Sequence, residues 1–156
     1  MNKPTKLIIS LLLPFLAGAI GSLATYTNIP TWYATLAKPE FNPPNWIFGP
    51  VWTTLYVLMG VSLYLVWTTK TKHKKQSACI AYATQLSLNA LWSLVFFGAH
   101  WFVGSSVIVI LLWAAIVATI KLFWPISKSA AWMLVPYLAW VSFASVLTLA
   151  VSSLNT

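Results

Sequence analysis

The chain has 156 residues, 60% of them hydrophobic and 6% charged, and its nine basic residues, all lysine, face a single acid, Glu40. Soluble domains carry about 25% charged residues, so these few charges cannot cover a soluble surface, and so apolar a chain is not a disordered one. A net charge of +8 would suit a nucleic-acid binder, but the hydropathy and the absence of arginine do not; the class that remains is an integral membrane protein.

Five apolar runs are long enough to cross the bilayer as helices, at residues 7–27, 47–67, 78–98, 102–124 and 130–151. None shows the strict alternation of a barrel strand, so the expectation is an all-α membrane protein, a single five-helix transmembrane domain over 1–156. The first run follows Lys3 and Lys6 like a signal peptide, but it is longer than such a peptide's apolar region and lacks a clear cleavage site, so it reads as a retained span.

If five spans alternate, eight of the nine lysines fall on one side: Lys3, Lys6, Lys70, Lys72, Lys74, Lys75, Lys121 and Lys128. Only Lys38 falls on the other. The positive-inside rule then puts the N-terminus in the cytoplasm and the C-terminus outside. The long connection, 28–46, lies outside and holds Pro30, Pro39, Pro43 and Pro44. It reads equally well as a functional lid or as a connector lying on the bilayer.

Of the ten tryptophans, Trp32, Trp46, Trp67, Trp101, Trp124 and Trp132 sit near span ends, where an interfacial belt explains them. Trp52, Trp92, Trp113 and Trp140 lie inside spans, where each indole N–H needs a partner. The third span is the most polar. Gln85, Asn89, Trp92 and Phe96 share one helical face, which must point inward because an unpaired amide in lipid is costly. Gln85 reads as interhelical glue, whereas Asn89 reads equally as glue or as a ligand anchor.

The fifth span repeats the pattern with Tyr137, Trp140, Ala144 and Thr148, just after Pro136, which should kink or loosen the helix. The second span offers Trp52, Tyr56, Met59 and Leu63 on one face. The first supplies Ala17, Gly18, Gly21 and Ser22, small residues that favour close packing but also leave room for a flat ligand. The aromatic and polar faces meet in the outer half of the bilayer under the Pro-rich connection, an arrangement suited to a flat, apolar ligand. His73 and His100 read as solvated, giving no buried haem ligand, and no metal site is expected. The missing acids exclude paired-carboxylate chemistry and a Ser-His-Asp triad. They also remove the embedded carboxylate that an ion-driven transporter usually keeps. The single cysteine, Cys79, excludes an intramolecular disulfide.

The segment TWYATLAKPEFNPPNWIFGPVWTTLYVLMG (Thr31–Gly60), with QLSLNALWSLVFFGA (Gln85–Ala99) and VPYLAW (Val135–Trp140), resembles the translocator protein family, or tryptophan-rich sensory proteins (TspO/MBR). The resemblance covers nearly the whole chain, in order. It implies a five-helix bundle, often a homodimer, with an outer-half pocket closed by the first loop. The implied ligands are porphyrins such as protoporphyrin IX, haem, and hydrophobic drug-like molecules of the benzodiazepine and isoquinoline carboxamide types. No cofactor is required.

By matching position, the resemblance makes Trp52 and Trp140 pocket residues linked to porphyrin photochemistry, Asn89 a polar pocket contact and Trp32 a lid residue. With the periodicity argument, the expected ligand-binding set is Trp32, Trp52, Asn89, Trp92, Phe96, Tyr137, Trp140 and Ala144. The resemblance stops at the end of the fifth span, where Leu147–Leu154 lacks the Tyr and Arg of the animal sterol motif, so cholesterol recognition by that motif is not expected. A bacterial plasma-membrane member is expected. Binding ranks first among its functions, light- and oxygen-dependent protoporphyrin degradation second, and a ligand-responsive scaffold third.

Overall fold

A computed structural model describes residues 2–73 and 75–156; Lys74, counted above toward topology, lies outside them. Five helical stretches are long and apolar enough to span a membrane, at Lys3–Tyr33, Asn45–Thr68, Lys75–Gly98, Phe102–Phe123 and Lys128–Asn155. The protein is an all-α integral membrane protein.

Helix α1 (Lys3–Asn28) starts where the Asn2 side chain accepts the Thr5 N–H at 3.0 Å. It does not end near residue 27 as expected. It continues through a wider π turn, Ile29–Tyr33, so Trp32 rides on a helical extension and not on a loop. Pro30 has no N–H to donate, and a widened turn absorbs that loss without ending the helix. The burial of Tyr33 against Phe96 and Phe97 holds the extension in place.

After the connection, a single 3₁₀ turn (Asn45–Ile47) leads into α2 (Phe48–Thr68). Helix α3 (Lys75–Ser93) runs into a second π turn, Leu94–Gly98, and α4 (Phe102–Phe123) returns. The fifth span is two helices, α5 (Lys128–Met133) and α6 (Val135–Asn155), broken at Leu134. Pro136 at the start of α6 cannot donate to the turn before it, which sets the break there.

Around the bundle, α1 packs between α2 and α3, α3 packs on α4, and α4 packs on α6. The ring closes through α5, which lies on α2; the Ser62 hydroxyl donates to the Ala130 carbonyl at 2.7 Å across that contact. Because the break at Leu134 lets α5 lean on α2 while α6 leans on α4, α2 and α6 diverge. The dry core fills the lysine end, with Met59, Leu63, Val66, Ile116, Phe123 and Ala130 essentially inaccessible. Helices α1 and α2 pack backbone to backbone at Gly60. A Cβ there would lie 2.8 Å from the Leu11 Cα and 2.9 Å from the Ser10 carbonyl oxygen, the acceptor that Pro14, one turn on, cannot use.

The lysines also cap helices. Lys75 Nζ donates to the carbonyls of Trp67 and Thr69 at 3.2 and 2.6 Å, and Lys6 Nζ lies 3.5 Å from the same Trp67 oxygen. These cations meet the negative end of the α2 dipole. Trp46, Trp101, Trp124 and Trp132 are exposed near span ends. Trp113 is not buried, contrary to expectation: it is 41% exposed on the outside of the bundle, and its indole donates to the Ser142 hydroxyl at 2.9 Å. A serine one helix away meets the polar need without an inward position.

Candidate functional site

A cavity of 350 Å³ lies between α1, α2, α3 and α6 at the end away from the lysine cluster. The size falls within the range of about 300–1,000 Å³ typical of small-molecule pockets. Trp52 and Tyr56 line it from α2, Trp92 and Phe96 from α3, and Trp140 and Ala144 from α6. Helix α1 contributes Gly18, Gly21 and Ser22, while Ala17 packs in the core, so its small face serves both a ligand space and close packing. At Gly18 a Cβ would collide with the Tyr56 ring, so glycine there lets Tyr56 lie across the cavity.

Five of the eight expected residues therefore line the cavity: Trp52, Trp92, Phe96, Trp140 and Ala144. The other three stand one layer back. Tyr137 is fully buried, with its ring centroid 6.2 Å from that of Trp52. Asn89 donates to the Tyr137 hydroxyl at 3.2 Å and accepts from the Tyr56 hydroxyl at 3.3 Å, tying α2, α3 and α6 together under the cavity floor. Trp32 packs behind Phe96, with centroids 5.6 Å apart. An inward-facing residue at the right depth is not thereby a wall residue. The residues they touch line the space instead: Tyr56 beside Asn89, Phe96 beside Trp32 and Trp52 beside Tyr137. Gln85 lies deeper, 1% exposed, with its amide nitrogen 3.8 Å from the Met59 sulfur, a packing position.

Two polar atoms in the walls are unusual. The indole nitrogens of Trp92 and Trp140 are buried with no hydrogen-bond partner among the described residues. An unmet buried N–H costs about 1–3 kcal/mol, and both belong to side chains that line the cavity. Among the described residues, no His, Cys, Met or charged side chain lines it. Among the described residues, no group of three or more His, Cys, Asp and Glu could hold a metal ion.

The roof is built from residues whose roles the sequence did not disclose. Tyr33 lines the cavity and its hydroxyl donates to Asn42 at 2.7 Å, which folds the connection back over it. Phe48 lines the cavity from the first turn of α2 and meets Trp140 edge-on at 5.9 Å. His100 is exposed, as expected, and it also stacks on Trp32 at 4.0 Å and 12°, with its Nε2 3.1 Å from Asn28 Oδ1. Asn155 pairs with the backbone of Ala37. The Pro and aromatic content marks this region; the partners do not follow from it.

Five membrane-spanning helical stretches around an aromatic cavity of small-molecule size, roofed by the first connection, define a helical membrane protein with an intramembrane cavity. The model of the TspO/MBR family matches residues 10–154, and the chain belongs to that family. It is 42% identical over 150 residues to the tryptophan-rich protein TspO of Archaeoglobus fulgidus, covering 96% of this chain and 97% of that one. It is 38% identical over 138 residues to the translocator protein of Homo sapiens (87% and 82% covered). It is 34% identical over 148 residues to the tryptophan-rich sensory protein of Cereibacter sphaeroides (94% and 92% covered).

Proposed function

We propose that this protein is a membrane receptor or carrier that binds porphyrins, protoporphyrin IX foremost, and other flat apolar ligands in the aromatic cavity, acting in tetrapyrrole or stress regulation. The observation that carries this reading is the pair of unpartnered indole N–H groups, Trp92 and Trp140, in a mainly aromatic and apolar wall whose other polar side chains include Ser22, Thr25, Asn45, Ser93 and Thr148. A ligand with an aromatic body and acceptor groups at its edge would cover the wall, and a turn of either indole would bring its N–H to such an acceptor. Haem would be held mainly by its ring and edge groups: among the described residues the lining offers no His, Cys or Met to its iron, and the phenols of Tyr33 and Tyr56 are already hydrogen-bonded to Asn42 and Asn89. The lysine-rich end supports a cytoplasmic N-terminus, with the cavity toward the opposite face of a bacterial plasma membrane.

Titration of protoporphyrin IX into the protein in lipid nanodiscs, followed by tryptophan fluorescence, tests the site. Saturable quenching is expected, with Trp140→Ala and Trp92→Ala each weakening affinity about tenfold, the scale of one lost interaction of 1.4 kcal/mol. Unchanged affinity in both variants would remove the proposed site.

One observation favours a second reading, light- and oxygen-dependent porphyrin degradation. Trp52 stacks on Tyr56 at 5.5 Å and 30°, and both line the cavity with Trp140. A photoexcited porphyrin held there would pass an electron to dioxygen, and the porphyrin cation and superoxide so formed would recombine to an oxygenated, ring-opened product, with Trp52, Tyr56 and Trp140 holding the ring in place. Bleaching of protoporphyrin under illumination no faster than in detergent micelles, with and without oxygen, would exclude it.

A further inference from the structure

A second apolar space adjoins the cavity. It is a groove of 590 Å³ on the outside of the bundle, between α2 and α6. Val51, Thr54 and Leu58 form one bank, and Pro136, Ala139 and Phe143 form the other. The groove exists because α5, not α6, closes the ring against α2, so the two helices diverge beyond the break at Leu134. From Pro50 to Leu58 it runs along about 12 Å of helix, within the membrane-spanning segments.

One side chain belongs to both spaces. Trp140 lines the cavity and the groove. Its ring lies 5.9 Å from Phe48, which faces the cavity, and 5.4 Å from Phe143, which faces the groove. Its indole nitrogen has no partner among the described residues, so turning the ring breaks no hydrogen bond. Trp113 and Trp67, by contrast, are fixed by bonds to Ser142 and to the Cys79 sulfur. Trp140 is flanked by alanine on the groove side and on the cavity side, at Ala139 and Ala144. Those positions leave it room to move.

We propose that the groove between α2 and α6 is the entrance through which ligand reaches the cavity from the bilayer, and that the Trp140 indole is its gate. A flat apolar ligand of the kind proposed above partitions into lipid before it meets the protein. The shortest way in is then sideways through an apolar groove, not down through a roof held by hydrogen bonds. In the closed state the ring separates the two spaces. When it swings, they join, and its free N–H turns toward the passing ligand's acceptor groups. The proposal rests on the reading of the cavity as a ligand site.

The test separates the two. Protoporphyrin IX is delivered from donor vesicles to the protein in nanodiscs, and association and dissociation are followed by stopped-flow tryptophan quenching. Ala139→Phe and Thr54→Phe each fill the groove from a position that does not line the cavity. Both are expected to slow association and dissociation by about tenfold while leaving Kd unchanged. Either variant suffices if the other fails to fold. Wild-type association rates in a folded variant overturn the lateral entrance, as does a loss of affinity at an unchanged association rate. So does faster association in Asn155→Ala, which frees the roof, when the groove variants have no effect. Absence of saturable quenching in the unaltered protein would instead remove the ligand-site reading itself.

Discussion

Asn155, at the end of the last helix, holds Ala37 in the roof of the cavity by a two-way bond: its Nδ2 donates to the Ala37 carbonyl at 2.8 Å and its Oδ1 accepts the Ala37 N–H at 3.0 Å. The same Nδ2 also reaches the Val151 carbonyl at 2.8 Å, which orients the amide. Together with the Tyr33–Asn42 bond, this side chain holds a Pro-rich connection that has no regular structure between Leu36 and Pro44 apart from a turn at Pro39–Asn42. Replacing Asn155 by Ala should raise the rate of amide hydrogen exchange across residues 36–44, most at Ala37. Each lost bond is worth about 0.5–1.5 kcal/mol. Exchange confined to the end of α6, with the connection unchanged, would show that the roof is held by other contacts.

His100 has φ 53°, a left-handed conformation that a non-glycine residue adopts at a cost of about 1–2 kcal/mol. Backbone strain alone predicts that His100→Gly stabilises the protein. The stack on Trp32 and the contact with Asn28 predict the reverse. The stack is worth about 0.5–1.5 kcal/mol, the hydrogen bond a similar amount, and glycine adds its own entropic cost, so a net loss of about 1 kcal/mol is expected. Thermal unfolding in detergent measures the sign. A raised midpoint would mean that the stack contributes less than the strain it accompanies.

At Gly60 two effects of alanine oppose each other. Alanine favours helix over glycine by about 1 kcal/mol. Its Cβ, however, would meet the Leu11 and Ser10 backbone at 2.8 and 2.9 Å, where no flexible side-chain end can yield. Overpacking of this kind costs about 1–3 kcal/mol, so Gly60→Ala should lower the unfolding midpoint and separate α1 from α2. Equal or greater stability would show that the two helices slide apart without loss.

The hydroxyls of Tyr56 and Tyr137 both meet Asn89, but not equally. Tyr137→Phe leaves the Asn89 amide N–H without its partner in a fully buried place, a loss of about 1–3 kcal/mol. Tyr56→Phe removes a longer bond, 3.3 Å, from a less buried ring. Denaturant unfolding should therefore rank Tyr137→Phe as the more destabilising. The opposite order would mean that the Asn89 oxygen, and not its nitrogen, is the atom that needs its partner.

Much of this protein was legible in the chain because the bilayer makes simple demands. A span needs a long apolar run, and the runs at 47–67, 78–98 and 102–124 fall within two or three residues of the helices found at Asn45–Thr68, Lys75–Gly98 and Phe102–Phe123. The inward faces were equally readable, since helical periodicity brings Trp92 and Phe96, or Trp140 and Ala144, to one side without any knowledge of the neighbours. Periodicity gives direction but not order of layers. It could not tell that Trp92 touches the cavity while Asn89, one turn away, lies beneath it, because that depends on where Tyr56 comes to rest over Gly18.

Composition, charge and periodicity thus determined that this is a membrane protein, how many times it crosses, which end carries the lysines and which faces turn inward. All of these follow from local chemistry against a uniform solvent. Tertiary structure alone decided the roof, the floor and the gap between α2 and α6. Each depends on residues far apart in the chain: Ala37 and Asn155 are separated by 118 positions, Asn89 and Tyr137 by 48. No spacing rule encodes such a meeting; it exists only once the packed helices have brought the two side chains within a hydrogen bond's length.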